Sequence, residues 1–212
     1  QVVDQIELAQ TAECAAQLAT PPLSRDFTTV SGSAGAQYEF TPGWRAGLSV
    51  SRSARAPSID ELFANGPHGG SQTFLIGNPD LDPEKSLGVE ASLRSVRGPV
   101  RFTGSIYYNR FANYIFEAQT GEVEDDLPVF QFQNGKADFY GFEAQLEAKL
   151  GQALGINWKS ELQADAVHAT VKRFGPAPFM PPFRLMAALT GERGPFDGRV
   201  EVERAFAHNR TA

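Results

Sequence analysis

One cysteine, Cys14, in 212 residues rules out an internal disulfide and a multi-cysteine zinc site within this chain, and it leaves the redox compartment open. Lysine is scarce, while glycine and proline are frequent, so long surface helices of Ala, Glu, Lys and Leu are poorly supported. Cations nowhere gather in the sequence, and the formal charge is -6. A nucleic-acid partner is therefore not expected, because phosphate binding needs clustered Lys and Arg. No nucleophile elbow, paired-carboxylate motif or phosphate-binding glycine loop stands in a fitting context, so an enzyme is the disfavoured class and no cofactor is expected. No run approaches the roughly 18 apolar residues of a membrane-spanning helix, and QVVDQIELAQ lacks the basic start and apolar centre of a secretory leader. That absence does not exclude a bilayer. A transmembrane β-strand alternates apolar with polar residues and averages to neutral hydropathy.

What the chain has in abundance is period two. Val30, Ala34, Ala36, Tyr38 and Phe40 alternate with Ser33, Gln37 and Glu39; then, after TPG, Trp44, Ala46, Leu48 and Val50 alternate with Arg45, Ser49 and Ser51. The same pattern predicts strands over 27–40, 43–53, 85–96, 99–116, 129–150, 155–171, 183–192 and 197–207. Residues 1–26 read as an irregular segment. Connections alternate between short (TPG, SVRGP, GQALG, ERGPF) and long (54–84, 117–128, 173–182). An antiparallel meander with short turns on one rim and long loops on the other matches a transmembrane β-barrel. Most of these strands also exceed the roughly 5 or 6 residues usual in a soluble sandwich. All-β, with about eight long strands forming part of a larger barrel, is the expected fold.

If the short turns face the periplasm, both ends of the meander are extracellular, which predicts an internal stretch of a barrel whose open edges are completed elsewhere. The polar faces carry Arg94, Glu143, Glu147, Lys149, Glu161 and Asp165, which are expected to line the barrel interior. Two alternatives stay open at this point: a complete small barrel with an adhesin or structural role, closed strand one on strand eight, and a soluble β-sandwich binding module.

The long insert, ARAPSIDELFANGPHGGSQTFLIGNPDLDPE, breaks the alternation. Pro57 ends the preceding strand by removing a ladder donor, and Ser58 with Glu61 three residues on makes a capping box for a short helical turn. Arg52 or Arg55 is expected to pair with a nearby carboxylate. Asn78, Pro79 and Glu84 in GNPDLDPE suggest a rigid descent to the wall. His68, in NGPHGGSQ, is the candidate metal ligand, with Asp60 and Glu61 as further candidates for substrate contact. His168 and His208 fall near the same rim. Asp80, Asp82 and Glu84 have the chemistry for a hard cation but not an EF-hand spacing. Glu122, Glu124, Asp125 and Asp126 read as a solvated loop able to concentrate cations at a pore mouth.

SRSARAPSIDELF followed by IGNPDLDPEKSLGVE resembles the barrel signature of TonB-dependent outer-membrane receptors. YYNRFANYIFEA, FQNGKADFYGFEAQLEAKL and MPPFR follow in the order that family shows. NGPHGGSQTFLIGNP with MPPFR is most similar to its zinc-uptake branch. The resemblance implies a barrel of about 22 strands with an amino-terminal plug, which is absent from these residues, and energy coupling through the TonB complex, which contacts that missing part. It further implies outer-membrane lipid around the wall, and as substrate a metal ion, zinc on the narrower match, or a metal chelate such as a siderophore or cobalamin.

Overall fold

The computed structural model describes residues 24–207. Eight strands form one continuous antiparallel path, and three short ones attach to it. They are β1 (Gly32–Thr41), β2 (Trp44–Arg55), β5 (Glu84–Ser95), β6 (Val100–Glu124), β7 (Leu127–Ala153), β8 (Ile156–Val171), β10 (Arg184–Arg193) and β11 (Phe196–Ala205), paired in that order. Between β2 and β5 lie helix α1 (Ile59–Phe63), β3 (Asn65–His68) and β4 (Thr73–Ile76); β9 (Gly175–Pro176) joins β8.

Register explains why one sheet is enough. The row Ala36, Leu48, Ala91, Ile106, Phe142, Ala166 crosses six strands on one face. The neighbouring row, Gln37, Gly47, Ser92, Ser105, Glu143, Asp165, Arg184, crosses the other. The apolar face has no second layer over it: Leu48 is 56 % exposed, Ile106 64 % and Val200 71 %. A soluble sandwich would bury such side chains between two sheets, so that alternative is excluded. The sheet is open, with β1 and β11 as its edges, which also excludes the eight-stranded closed barrel. An apolar band facing outward and a polar face inward is the arrangement of a barrel wall in lipid. No helix among the described residues is long and apolar enough to cross a membrane, which says nothing about strands.

Aromatic rings mark both ends of the apolar band. Phe40 and Trp44, 6.5 Å apart, sit at the short-turn rim. Toward the other rim, Tyr108, Tyr140 and His168 share one row, with the last two rings 5.3 Å apart. Such rings prefer the bilayer interface, where one end of the side chain is dry and the other wet.

Three expectations are corrected. Residues 24–31 are not strand, so the first strand begins at Gly32 rather than at 27. Residues 117–128 are not a loop: β6 runs through Glu124 and β7 starts at Leu127, with Asp125 and Asp126 as the only intervening residues. Both adopt positive φ, 51° and 62°, as a two-residue hairpin turn matched to strand twist requires, and Asp tolerates that region better than most residues. The four acidic side chains therefore cap a hairpin that projects past the rim. Third, the insert is not irregular throughout its length. Asn65–His68 pairs with Thr73–Ile76, and β4 then adds in parallel to Val129–Gln131 of β7.

Among the described residues two buried apolar clusters lie toward the loop rim. One cluster is Phe116, Ala118, Ala137, Ala169, Val171 and Ala177; the other is Leu62, Leu75, Leu81, Ile115 and Phe132. The second cluster fixes the insert to the β6–β7 hairpin.

Candidate functional site

The insert between β2 and β5 is built as a clasp. Ser58 accepts the Glu61 backbone N–H through Oγ at 3.2 Å, and the Glu61 carboxylate accepts the Ser58 N–H at 2.7 Å, a complete capping box. The same carboxylate receives the Arg55 guanidinium in a two-pronged fork at 2.8 and 3.1 Å. Arg55 reaches Glu84 as well, at 3.4 Å, and Glu84 in turn accepts the Ile115 backbone N–H at 3.1 Å. One guanidinium thus joins the start of the insert, its helix and its end, while Glu84 ties that end to β6. Of the two arginines considered for such a pair, Arg55 makes it, while Arg52 donates to the Val30 carbonyl at 3.1 Å.

GNPDLDPE fastens the other side. Asn78 donates to the Phe132 carbonyl at 3.2 Å and accepts the Asp80 N–H at 3.0 Å, an Asx turn that carries the chain through Pro79. Leu81 is 1 % exposed. The Asp82 N–H donates to the Asn134 side chain at 2.7 Å, and the Asn134 amide donates to the Asp82 and Asn113 carbonyls, both at 3.3 Å. Arg25 bonds the Pro79 and Leu81 carbonyls from outside the insert. Asn134, Asn113 and Arg25 were not singled out from the sequence. Their partners are backbone atoms tens of residues away, which no local spacing reveals.

Burial pushes the Glu61 pKa up, but the Arg55 fork and the Ser58 N–H outweigh it, and the carboxyl is held below its ordinary value. A lowered folded pKa contributes stability that is present above the unfolded value and disappears as pH falls through the folded one. The clasp is therefore expected to keep full strength at neutral pH and to loosen as pH falls below the ordinary glutamate value of about 4.3. Amide exchange at Leu62, whose N–H bonds the Ser58 carbonyl at 3.2 Å, measures this. In Glu61→Gln the exchange is faster at neutral pH and changes less over the acid range; an unaltered acid response would remove Glu61 from the account.

The remaining candidates do not converge. His68 Nδ1 lies 3.0 Å from the Ser71 hydroxyl, which lies 2.6 Å from the Thr73 hydroxyl. Asp60 is exposed on α1. Among the described residues no group of three or more His, Cys, Asp or Glu side chains could hold a metal ion, Asp80, Asp82 and Glu84 included. His168 belongs to the outward aromatic row, while His208 and Cys14 lie outside the described residues.

The polar face carries an ion-pair ladder. Lys159 Nζ lies 3.0 Å from Glu147 and 2.8 Å from Glu161, Arg199 lies 2.8 Å from both Glu161 and Glu201, and Arg184 pairs with Asp165 at 3.0 Å. Glu143 sits beside that last pair in a polar recess of about 310 Å³ with Gln145, Gln163 and Thr103. Charges set on the wall in this way hold one another in place and leave a hydrated surface inside.

A sheet with one lipid-facing side, one charged side, two aromatic girdles and elaborated loops on a single rim defines a segment of an outer-membrane β-barrel. Residues 9–206 match the family model described as TonB dependent receptor-like, beta-barrel, and the chain belongs to that family. Such barrels lie in the bacterial outer membrane. Among solved structures, the copper transporter OprC is similar at 20 % identity and TM-score 0.74, over 86 % of this chain and 27 % of that one. The siderophore receptor PirA from Acinetobacter baumannii is similar at 18 % identity and TM-score 0.54, over 78 % and 27 %. The ferric enterobactin receptor PfeA from Pseudomonas aeruginosa is similar at 20 % identity and TM-score 0.54, over 82 % and 27 %. The chain thus spans about a quarter of the length of these structures.

Proposed function

We propose that this chain forms part of the wall and of one extracellular loop of a TonB-dependent receptor that imports a scarce metal nutrient, as a bare ion or as a chelate. The observation that carries the reading is the two-faced sheet together with the match of residues 9–206 to the receptor barrel family. The structural neighbours, by their descriptions a copper transporter, a siderophore receptor and a ferric enterobactin receptor, are consistent with a metal cargo. A plug and contact with the TonB complex belong to this proposal, as parts the whole protein would supply. Zinc, suggested by the NGPHGGSQ resemblance, is the narrower cargo, with His68 and Asp60, of the three candidates that include Glu61, as its proposed contacts. Within the described residues Glu61 is already engaged by Arg55 and Ser58, so His68 and Asp60 remain accessible to cargo.

The acidic tip at Glu122, Glu124, Asp125 and Asp126 supports cation capture. All four are exposed at the end of a hairpin held away from the wall, where their field is screened only over a Debye length of about 8 Å at physiological salt.

Deleting the full-length receptor is expected to lower uptake of radiolabelled metal by metal-starved cells, and loss of the TonB complex is expected to lower it equally. Supplying zinc salt and an iron–siderophore in parallel identifies the cargo. Unchanged uptake of both would overturn the transport reading.

A further inference from the structure

The apolar face does not end in neutral residues where it meets the loop rim. Just past the aromatic row, on the same face, the row Arg52, Leu87, Arg110, Asp138, Thr170 crosses five strands. Lys136 follows two residues beyond Asp138 on β7, and the Lys172 N–H donates to the Lys136 carbonyl at 2.8 Å where β8 ends. Arg110, Lys136, Lys172 and Arg173, with Asn134 and Phe174, line a cavity of about 490 Å³.

Among the described residues, only Lys172 of these four cations is paired with a carboxylate. Asp138 lies 3.6 Å from Lys172 Nζ and accepts the Tyr108 hydroxyl at 2.5 Å. Among the described residues Arg110, Lys136 and Arg173 have no carboxylate within ion-pair distance. This contrasts with the polar face, where the principal cations are matched by Glu and Asp. Like charges gathered in one recess repel unless an anion joins them. The place of the recess says which kind of anion. Tyr108 and Tyr140 lie directly below it, and below them Phe102, Gly104, Ile106, Phe142 and Ala144 of the same two strands, with Leu93 of β5, line an apolar groove of about 370 Å³.

We propose that the outward rim of Arg110, Lys136, Lys172 and Arg173 holds the phosphorylated head group of an outer-leaflet lipid, with an acyl chain of that lipid along the groove beneath. The guanidinium and ammonium groups supply charge-assisted hydrogen bonds to phosphate oxygens, the tyrosines lie at head-group depth, and the lipid's position in the bilayer places phosphate and chain at the two recesses together. The inference rests on the membrane placement of the wall and is independent of the imported nutrient.

The test uses the full-length receptor in mild detergent, with bound lipid counted by native mass spectrometry. The probes are diphosphorylated lipid A and the same lipid after enzymatic removal of its phosphates. Retention of the phosphorylated lipid is expected to fall roughly fivefold for each cation removed in Arg110→Gln/Lys136→Gln/Lys172→Gln. The charge-matched Arg97→Gln/Arg101→Gln/Arg193→Gln, at or near the short turns, should retain it, and the dephosphorylated lipid should bind wild-type protein weakly. Equal retention by both triple variants would overturn the proposal. So would equal binding of the dephosphorylated lipid, which would mean that the chains alone are held, or displacement of lipid A by inorganic phosphate, which would mean a site for the free ion. The last two comparisons use wild-type protein, so a variant that fails to assemble leaves the question decidable.

Discussion

Leu81→Ala should release the insert from the β6–β7 hairpin while leaving the wall in place. Leu81 is among the most completely buried large side chains described, packed with Leu62, Leu75, Ile115 and Phe132. Truncation removes its transfer free energy and leaves a cavity bounded by strands that cannot all collapse into it, a loss of about 2–5 kcal/mol. The wall is held by continuous ladders that Leu81 does not touch, so the loss is local. Protection of amides in β4 against hydrogen exchange should drop by more than roughly 30-fold, the equivalent of about 2 kcal/mol, with the β5–β6 ladder unaffected. Leu81→Met, which preserves volume, should cost less than about 1.5 kcal/mol. Equal protection in wild type and Leu81→Ala would mean that the clasp is not held by this cluster.

Gly77→Ala is expected to be almost as damaging, although a single methyl is added. A Cβ at residue 77 would stand 2.5 Å from the Leu62 carbonyl carbon and from the Phe63 nitrogen, and 2.6 Å from the Ala64 nitrogen. All are backbone atoms of α1 and its cap, so no side chain can rotate away. The helix and the turn must separate, breaking the bonds from the Gly77 N–H to the Ala64 carbonyl at 2.6 Å and from the Asn78 N–H to the Glu61 carbonyl at 2.9 Å. Overpacking of this kind costs about 1–3 kcal/mol, and more where backbone is the obstacle. Faster protease nicking within 54–84 measures it. Gly66→Ala, where a Cβ meets nothing within 4 Å, is the matched control and should leave nicking unchanged. Comparable nicking in the two variants would show that close approach at residue 77 is not what holds the turn.

Alternation made the wall legible in the sequence because each strand keeps one face in lipid, and lipid demands apolar residues at every second position regardless of what lies across the sheet. The ends of the insert were legible for a related reason: Ser58 with Glu61, and Asn78 with Asp80, act within three residues of themselves. What stayed hidden was set by distance. Ile115, Phe132 and Asn134 meet the insert only because the β6–β7 hairpin rises past the rim, and that rise was concealed by composition. Glu122, Glu124, Asp125 and Asp126 have the polarity of a loop, while register shifts between Phe111 and Tyr114 and between Gln119 and Val123 break the period that would have announced strand. The aromatic row of Tyr108, Tyr140 and His168 was hidden in another way. Each residue is unremarked in its own strand, and only the pairing register brings them level.

The parallel pairing of β4 with β7 also orders events in time. Neighbouring hairpins of the wall can form as soon as their turns are made, whereas Phe74–Ile76 must wait for Val129–Gln131, and Asn78 for a carbonyl 54 residues further on. Loop closure over such a span is entropically costly until the hairpin that receives it is already rigid. The clasp is therefore a late step of assembly, and its closure reports that β5, β6 and β7 have found their register.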